Sequence, residues 1–144
     1  MFGVAMWALH HYCPLLTVIP APWSRAGWCV VAIAAFAPIQ AINQFQRART
    51  TVNPHEPETA TTLVTSGIYA WTRNPMYLGL ATLLLGWAIR LGTLSPFAGP
   101  LLFIPMIQRI QILPEEQALR ARFGSDYEQY CERVNRWLGR KRRP

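Results

Sequence analysis

From Ala26 to Gln46 the chain runs for 21 residues without a formal charge. A helix needs about 20 mostly apolar residues to cross a bilayer, so this stretch reads as a membrane span. Two more uncharged stretches follow, 16 residues from Asn74 to Ile89 and 18 from Leu91 to Gln108. Only Arg90 separates them, and at a membrane surface its guanidinium can reach water while its stem stays in apolar surroundings. Before Arg25 there is no Lys, Arg, Asp or Glu at all. The segment from Phe2 to Pro20 therefore reads as a further span, short and interrupted by His10, His11 and Pro14. The expected fold is all-α: an integral membrane helical bundle of about four transmembrane helices with C-terminal amphipathic helices. A soluble domain would need polar surface to cover these segments. This chain is only 15% charged, against about 25% in average usage.

The few charges orient the chain. With the N-terminus cytoplasmic and four spans, Arg25 and Arg90 fall outside. Arg47, Arg49 and Arg73 fall in a central cytoplasmic loop, and nine basic residues from Arg109 to Arg143 fall in the C-terminal region. Twelve basic residues inside against two outside is a strong positive-inside asymmetry. The expected location is an inner or cytoplasmic membrane with both termini cytoplasmic. The same asymmetry accounts for the final run Arg140 to Pro144, RKRRP, which in a soluble chain would read as a nucleic-acid patch. No basic segment precedes the first apolar residues, so a secretory signal is not indicated. That abrupt start raises the expectation that the protein begins earlier. Cys13, Cys29 and Cys131 are odd in number and far apart, which suggests neither a zinc site nor a disulfide framework.

One domain accommodates 144 residues. Its expected parts are two spans in 1–46, a cytoplasmic loop in 47–74, two spans in 75–113, and amphipathic helices with a basic tail in 114–144. Trp23 and Trp28 sit where an interfacial aromatic belt would place them. Pro38 is expected to kink the second span. Pro75 suits a helix start, while Gly92, Ser95 and Pro96 mark a turn. The fourth span is expected to end before Pro114. Glu115 and Glu116 then fall in the first turn of a helix, where acidic residues complement the dipole. Phe123-Gly124 breaks that helix. A second begins near Ser125, with Tyr127, Tyr130, Cys131, Val134, Trp137 and Leu138 as one apolar stripe. Its basic residues, Arg133, Arg136 and Arg140, would lie on an anionic leaflet.

Chemistry concentrates in Leu63 to Gly79, LVTSGIYAWTRNPMYLG. Gly67 allows a tight turn, Arg73 offers a planar donor fork, and Asn74-Pro75 leads into a helix whose N-terminus can receive an anion. Gly79 permits close approach to the backbone. The run Arg73-Asn74-Pro75-Met76-Tyr77-Leu78-Gly79 resembles the RHPxYxG motif of the isoprenylcysteine carboxyl methyltransferase and phospholipid methyltransferase superfamily. A hydrophobic span separates that motif from a Glu-Glu pair in the superfamily, and Glu115-Glu116 stands at the corresponding place. Asn74 occupies the position where His is commonest. The resemblance covers roughly residues 45 to 138.

The resemblance implies an enzyme that uses S-adenosyl-L-methionine. Arg73, Asn74, Pro75, Tyr77 and Gly79 would line the donor site, closed by Glu115 and Glu116. An arginine suits the donor's carboxylate, a glutamate its ammonium or ribose hydroxyls, and Tyr69, Trp71 and Tyr77 its sulfonium. The acceptor would be lipophilic: an isoprenylcysteine-like carboxylate, a phospholipid amine or a hydrophobic thiol. The loop Thr50 to Thr62 is expected to help select it. No catalytic base is assigned, because a carboxylate or thiolate acceptor needs none. A small non-enzymatic membrane scaffold, binding a partner or anionic lipid through loop and tail, explains the spans but not the paired motifs. A secondary transporter would call for internal repeats or a charge within a span, and neither is visible.

Overall fold

The computed structural model describes residues 1–48 and 62–140, and its regular structure there is all-α. The helices are α1 (Phe2–Tyr12), α2 (Gly27–Ala34), α3 (Phe36–Ala48), α4 (Pro75–Leu91), α5 (Ala98–Ile107), α6 (Leu113–Phe123) and α7 (Ser125–Arg133). The chain forms two compact units, Met1–Phe36 with Tyr77–Ile107 and Ala37–Met76 with Gln108–Pro144. The loop between Thr50 and Thr62 assigned to acceptor choice lies, apart from Thr62, outside the described residues, as does the tail beyond Arg140.

Two helical runs are long and apolar enough to cross a membrane, Trp23–Arg47 and Ser95–Phe123. Their large apolar side chains point outward: Ile33 is 66% exposed, Leu101 71% and Ile110 65%. A soluble protein would bury such residues, whereas lipid covers them without cost. Helix α4 is apolar but has 17 residues, about 25 Å at 1.5 Å per residue. The expected first span is not a full-length helix. Helix α1 ends at Tyr12 after 11 residues, about 16 Å, and the chain then turns. The four-span expectation thus meets two full-length runs, one shorter apolar helix and one helix of three turns.

Proline sets the irregularities. The first long run breaks at Ala35, between α2 and α3. Pro38 has no N–H to offer the carbonyl of Ala34 four residues earlier. The second run does not end before Pro114 as expected. It continues through a π-helical segment, Gln108–Ile112, into α6. Pro114 falls in the first turn of α6, where its missing N–H and its ring are accommodated.

The first unit is held by close approach. A Cβ on Gly27 would lie 2.5 Å from the backbone N of Arg90 and the O of Gly86. A Cβ on Gly86 would lie 2.8 Å from the N of Val31. Small residues therefore let α2 and α4 touch backbone to backbone, as helices in lipid do. Met6 of α1 is buried against Gly99 of α5. Phe2 meets Phe103 edge to face at 5.6 Å. His10 Nδ1 and Thr93 Oγ1 are 2.8 Å apart, and Leu94 N donates to Leu16 O at 3.0 Å.

The second unit has an aromatic core of Tyr69, Tyr127 and Tyr130 around Ala41 and Val134. Phe45 of α3 meets Tyr69 edge to face at 5.4 Å. Gly67, at φ 60°, turns the chain into a 3₁₀ segment, Gly67–Ala70, against Gln44, whose side chain occupies the space a Cβ would need. Helix α6 stops at Gly124, φ 50°, as the Phe123-Gly124 pair predicts. Helix α7 stops earlier than its apolar stripe does. Val134 is extended and Gly139, at φ 96°, folds the chain back, so that Val134 bridges Arg140. Val134, Trp137 and Leu138 are therefore not helical, which corrects the expected stripe.

Candidate functional site

The motif residues meet the C-terminal segment inside the second unit. Thr72, almost fully buried, accepts a hydrogen bond on Oγ1 from Asn74 N at 3.1 Å and so forms the turn into α4. Asn74 Nδ2 donates to the carbonyl of Arg136 at 3.1 Å, and Thr72 Oγ1 donates to the same oxygen at 3.4 Å. Arg73 N donates to Asn135 O at 3.2 Å, and Gly139 N to Trp71 O at 2.8 Å. Arg140 lies over the Trp71 ring at 5.1 Å and donates to Ala70 O. Residues 134–140 thus form a strap along residues 70–74. Pairing among backbone groups explains why the apolar stripe yields to a turn here: every one of these bonds would be lost if α7 continued.

The strap carries Arg136 to Glu116. Arg136 Nε donates to Glu116 Oε1 at 2.9 Å and Nη2 to Oε2 at 2.8 Å, a bidentate pair. Arg73 Nη1 reaches Glu116 Oε1 at 3.2 Å from the other side. The Arg73 and Glu116 side chains are 9% and 8% exposed, and that of Arg136 is 30%. Arg73 Nη1 also donates to Cys131 Sγ and approaches the Tyr127 hydroxyl at 3.5 Å. One carboxylate therefore balances two guanidiniums, and the cluster keeps one excess positive charge. Two polar sites remain. The Nε of Arg73 is buried without a hydrogen-bond partner, and Glu116, with four acceptor positions, uses three.

Around the cluster the tyrosines stay neutral. Burial raises the Tyr127 hydroxyl pKa well above its usual value, with Glu116 adding to the effect. Burial does the same for Tyr130, whose hydroxyl donates to Tyr69 O at 2.7 Å, and for Tyr69, where Glu115 contributes second. The hydrogen bonds to Glu116 raise the pKa of Arg136. Glu115 accepts from Gln111 Nε2 at 2.9 Å. Among the described residues no group of three His, Cys, Asp or Glu can hold a metal ion.

The structure thus joins Arg73, Asn74 and Glu116 of the expected set. Pro75 is buried and opens α4. Tyr77 and Gly79 follow on the first turns of α4, in the other compact unit. Arg136, Cys131 and Tyr127 join them although none belongs to the motif. The basic face expected on a leaflet is not one: Arg136 pairs with Glu116, and Arg140 packs on Trp71. No spacing rule links Arg136 to residues 73 and 116, since the link is made only by the fold-back at Gly139.

A family model for phospholipid methyltransferases matches residues 23–126, more than half of the chain, and includes both Arg73-Asn74-Pro75 and Glu115-Glu116. The chain belongs to the phospholipid methyltransferase family. Within the wider superfamily it is similar to a protein-S-isoprenylcysteine O-methyltransferase of Schizosaccharomyces pombe, 40% identical over 75 residues. That match covers 50% of this chain and 30% of the yeast protein, so the chain spans under a third of that relative. It is also similar to a protein of Haemophilus influenzae known only as uncharacterized, 41% identical over 63 residues, 44% of this chain and all of that protein. No solved structure matches the chain. Membership of this family makes the protein a methyltransferase-type enzyme associated with a membrane.

Proposed function

We propose that this phospholipid methyltransferase family member transfers a methyl group from S-adenosyl-L-methionine to a lipophilic acceptor at the cytoplasmic face of a membrane. The observation that carries the reading is the buried Arg73–Glu116–Arg136 cluster, which ties the two halves of the family's paired motif together. The cluster fits the donor's amino-acid end. Its excess positive charge and the orphaned Nε of Arg73 suit a carboxylate. The remaining acceptor position on Glu116 suits an ammonium or a ribose hydroxyl. When bound, the donor supplies an electrophilic methyl group on a sulfonium.

The chain's own residues hold and align. Arg73 is fixed by Glu116 and Cys131, so its guanidinium is already oriented when an anion arrives. Asn74 and Thr72 fix the strap that carries Arg136. Glu115, beside Gln111, follows in the same paired motif and is assigned to the donor site with Glu116. Methyl transfer is a direct displacement in which alignment supplies much of the acceleration. The tyrosines remain protonated and take no proton from the acceptor. The acceptor belongs to the isoprenylcysteine-like carboxylates, phospholipid amines or hydrophobic thiols, and it reaches the site from the bilayer, with both chain termini cytoplasmic.

Calorimetry with the full chain in detergent tests the reading. S-adenosylhomocysteine should bind the wild type and fail to bind Arg73→Ala and Glu116→Ala. Binding retained in both variants removes the site assignment, and no binding by the wild type removes the function. Lipid and thiol extracts incubated with labelled donor, followed by mass spectrometry, identify the acceptor.

A further inference from the structure

The first unit contains an apolar groove of about 540 Å³. That volume is within the range of small-molecule sites, about 300–1,000 Å³. Trp7 of α1, Trp28 and Val31 of α2, and Leu84 and Trp87 of α4 line it, with Gly3 at its α1 side. Trp28 and Trp87 lie 6.0 Å apart, and Trp87 Nε1 donates to Gly3 O at 3.2 Å. The wall therefore offers no unused hydrogen-bonding group from its indole at Trp87, and its apolar lining suits a hydrocarbon.

One end of the groove is cationic. Along α4, Leu83, Trp87 and Arg90 follow each other on one face, so Arg90 stands one turn beyond the lining residues. Its guanidinium lies 5.9 Å from the Trp28 ring, and its Nε is buried without a partner. Along α1, His11 stands one turn beyond Trp7 and stacks on it at 5.4 Å. Arg25 precedes Gly27, the residue whose backbone touches that of Arg90. The first unit contains no Asp or Glu, while Arg25 and Arg90 are its arginines. Arg90, beside Trp28 at one end of this greasy slot, and Arg25, two residues before Gly27, thus have no acid of their own unit to balance them.

We infer that this groove binds an anionic glycerophospholipid, one acyl chain lying between the tryptophans and the headgroup phosphate resting on Arg90 and Arg25. Phosphate accepts from guanidinium nitrogens in a planar, paired geometry, and the adjacent indoles suit the headgroup depth. The groove's lining and both arginines belong to the first unit, whereas Arg73, Glu116 and Arg136 belong to the second.

Quenching of tryptophan by brominated acyl chains tests the site in the full chain, reconstituted in phosphatidylcholine vesicles. Brominated phosphatidylglycerol should quench the wild type at about tenfold lower mole fraction than brominated phosphatidylcholine, as two lipid-facing charges warrant. The double variant Arg25→Gln/Arg90→Gln keeps the twelve other basic residues and should lose that preference. Gly3→Leu keeps every charge and every tryptophan, and its new side chain enters open space, so it should weaken quenching by both lipids. Equal quenching of the wild type by both lipids overturns the inference, as does a preference that survives the double variant. Relief of quenching by about 10 mM inorganic phosphate also overturns it, since the site would then be an anion site rather than a lipid site.

Discussion

The two compact units of this chain are stabilised by opposite means. In the first, glycines at 27 and 86 bring helices into backbone contact, Gly99 makes room for the Met6 side chain, and cations stand without acids. In the second, an ion cluster, a hydrogen-bonded strap and three buried tyrosines hold the elements together. Close van der Waals contact between small residues joins helices without any gain from apolar burial, whereas buried tyrosines and paired charges tie the second unit together through directional contacts.

The largest test of this contrast is Glu116→Ala, which leaves two guanidiniums facing each other around a buried site. Loss of one partner from a buried ion pair costs about 3–5 kcal/mol. Hydrogen exchange of the full chain should show this loss in α6, α7 and the strap, with α1, α2 and α5 unchanged. Equal loss in both sets of helices would break the comparison. Gly27→Val is the counterpart, because its side chain would meet the backbone of Arg90 and Gly86. Overpacking of this kind costs about 1–3 kcal/mol, and exchange should accelerate in α2 and α4 while the strap stays protected.

The third test is alkaline pH. The folded-state pKa values of Tyr69, Tyr127 and Tyr130 are raised from 10.0. Above pH 10 the unfolded chain releases protons that the folded chain retains, so stability is fully present below that pH and falls as pH rises. From pH 9 to 10.5 the loss should be about 2 kcal/mol over the three groups, read as faster exchange in the second unit only. The smallest effect is Asn74→Ala. It removes one donor from the Arg136 carbonyl, which Thr72 still contacts, at a cost of about 1 kcal/mol. Strap amides should exchange faster with α6 unaffected.

Composition and local pattern were enough for the class of protein. Uncharged runs of bilayer length announced apolar helices, because the hydrophobic requirement is additive along a sequence. Turns at Gly67, Gly92 and Gly124 and the helix start at Pro75 were legible because they depend on a residue's own backbone limits. Arg73, Asn74 and Glu116 stood out through the paired motif, and they meet in the second unit around Arg136. The short α1 and the helix that runs on through Pro114 were not. A mean apolar character does not say whether Leu16, Val18 and Ile19 are better paired with Gly92 and Leu94, or whether a π-helical segment can absorb a proline.

Arg136 was beyond local reading altogether. Its place at Glu116 depends on Gly139 reversing the chain and on Asn74 and Thr72 receiving it, contacts separated by more than sixty residues. The sequence by itself determined an all-α chain with long apolar helices, since these rest on composition and short-range spacing, and its paired motif carried the resemblance to the methyltransferase family to which the chain belongs. Tertiary structure alone decided that one carboxylate is shared by two arginines, leaving a charge and a donor atom unsatisfied, because that balance exists only where distant segments are folded together.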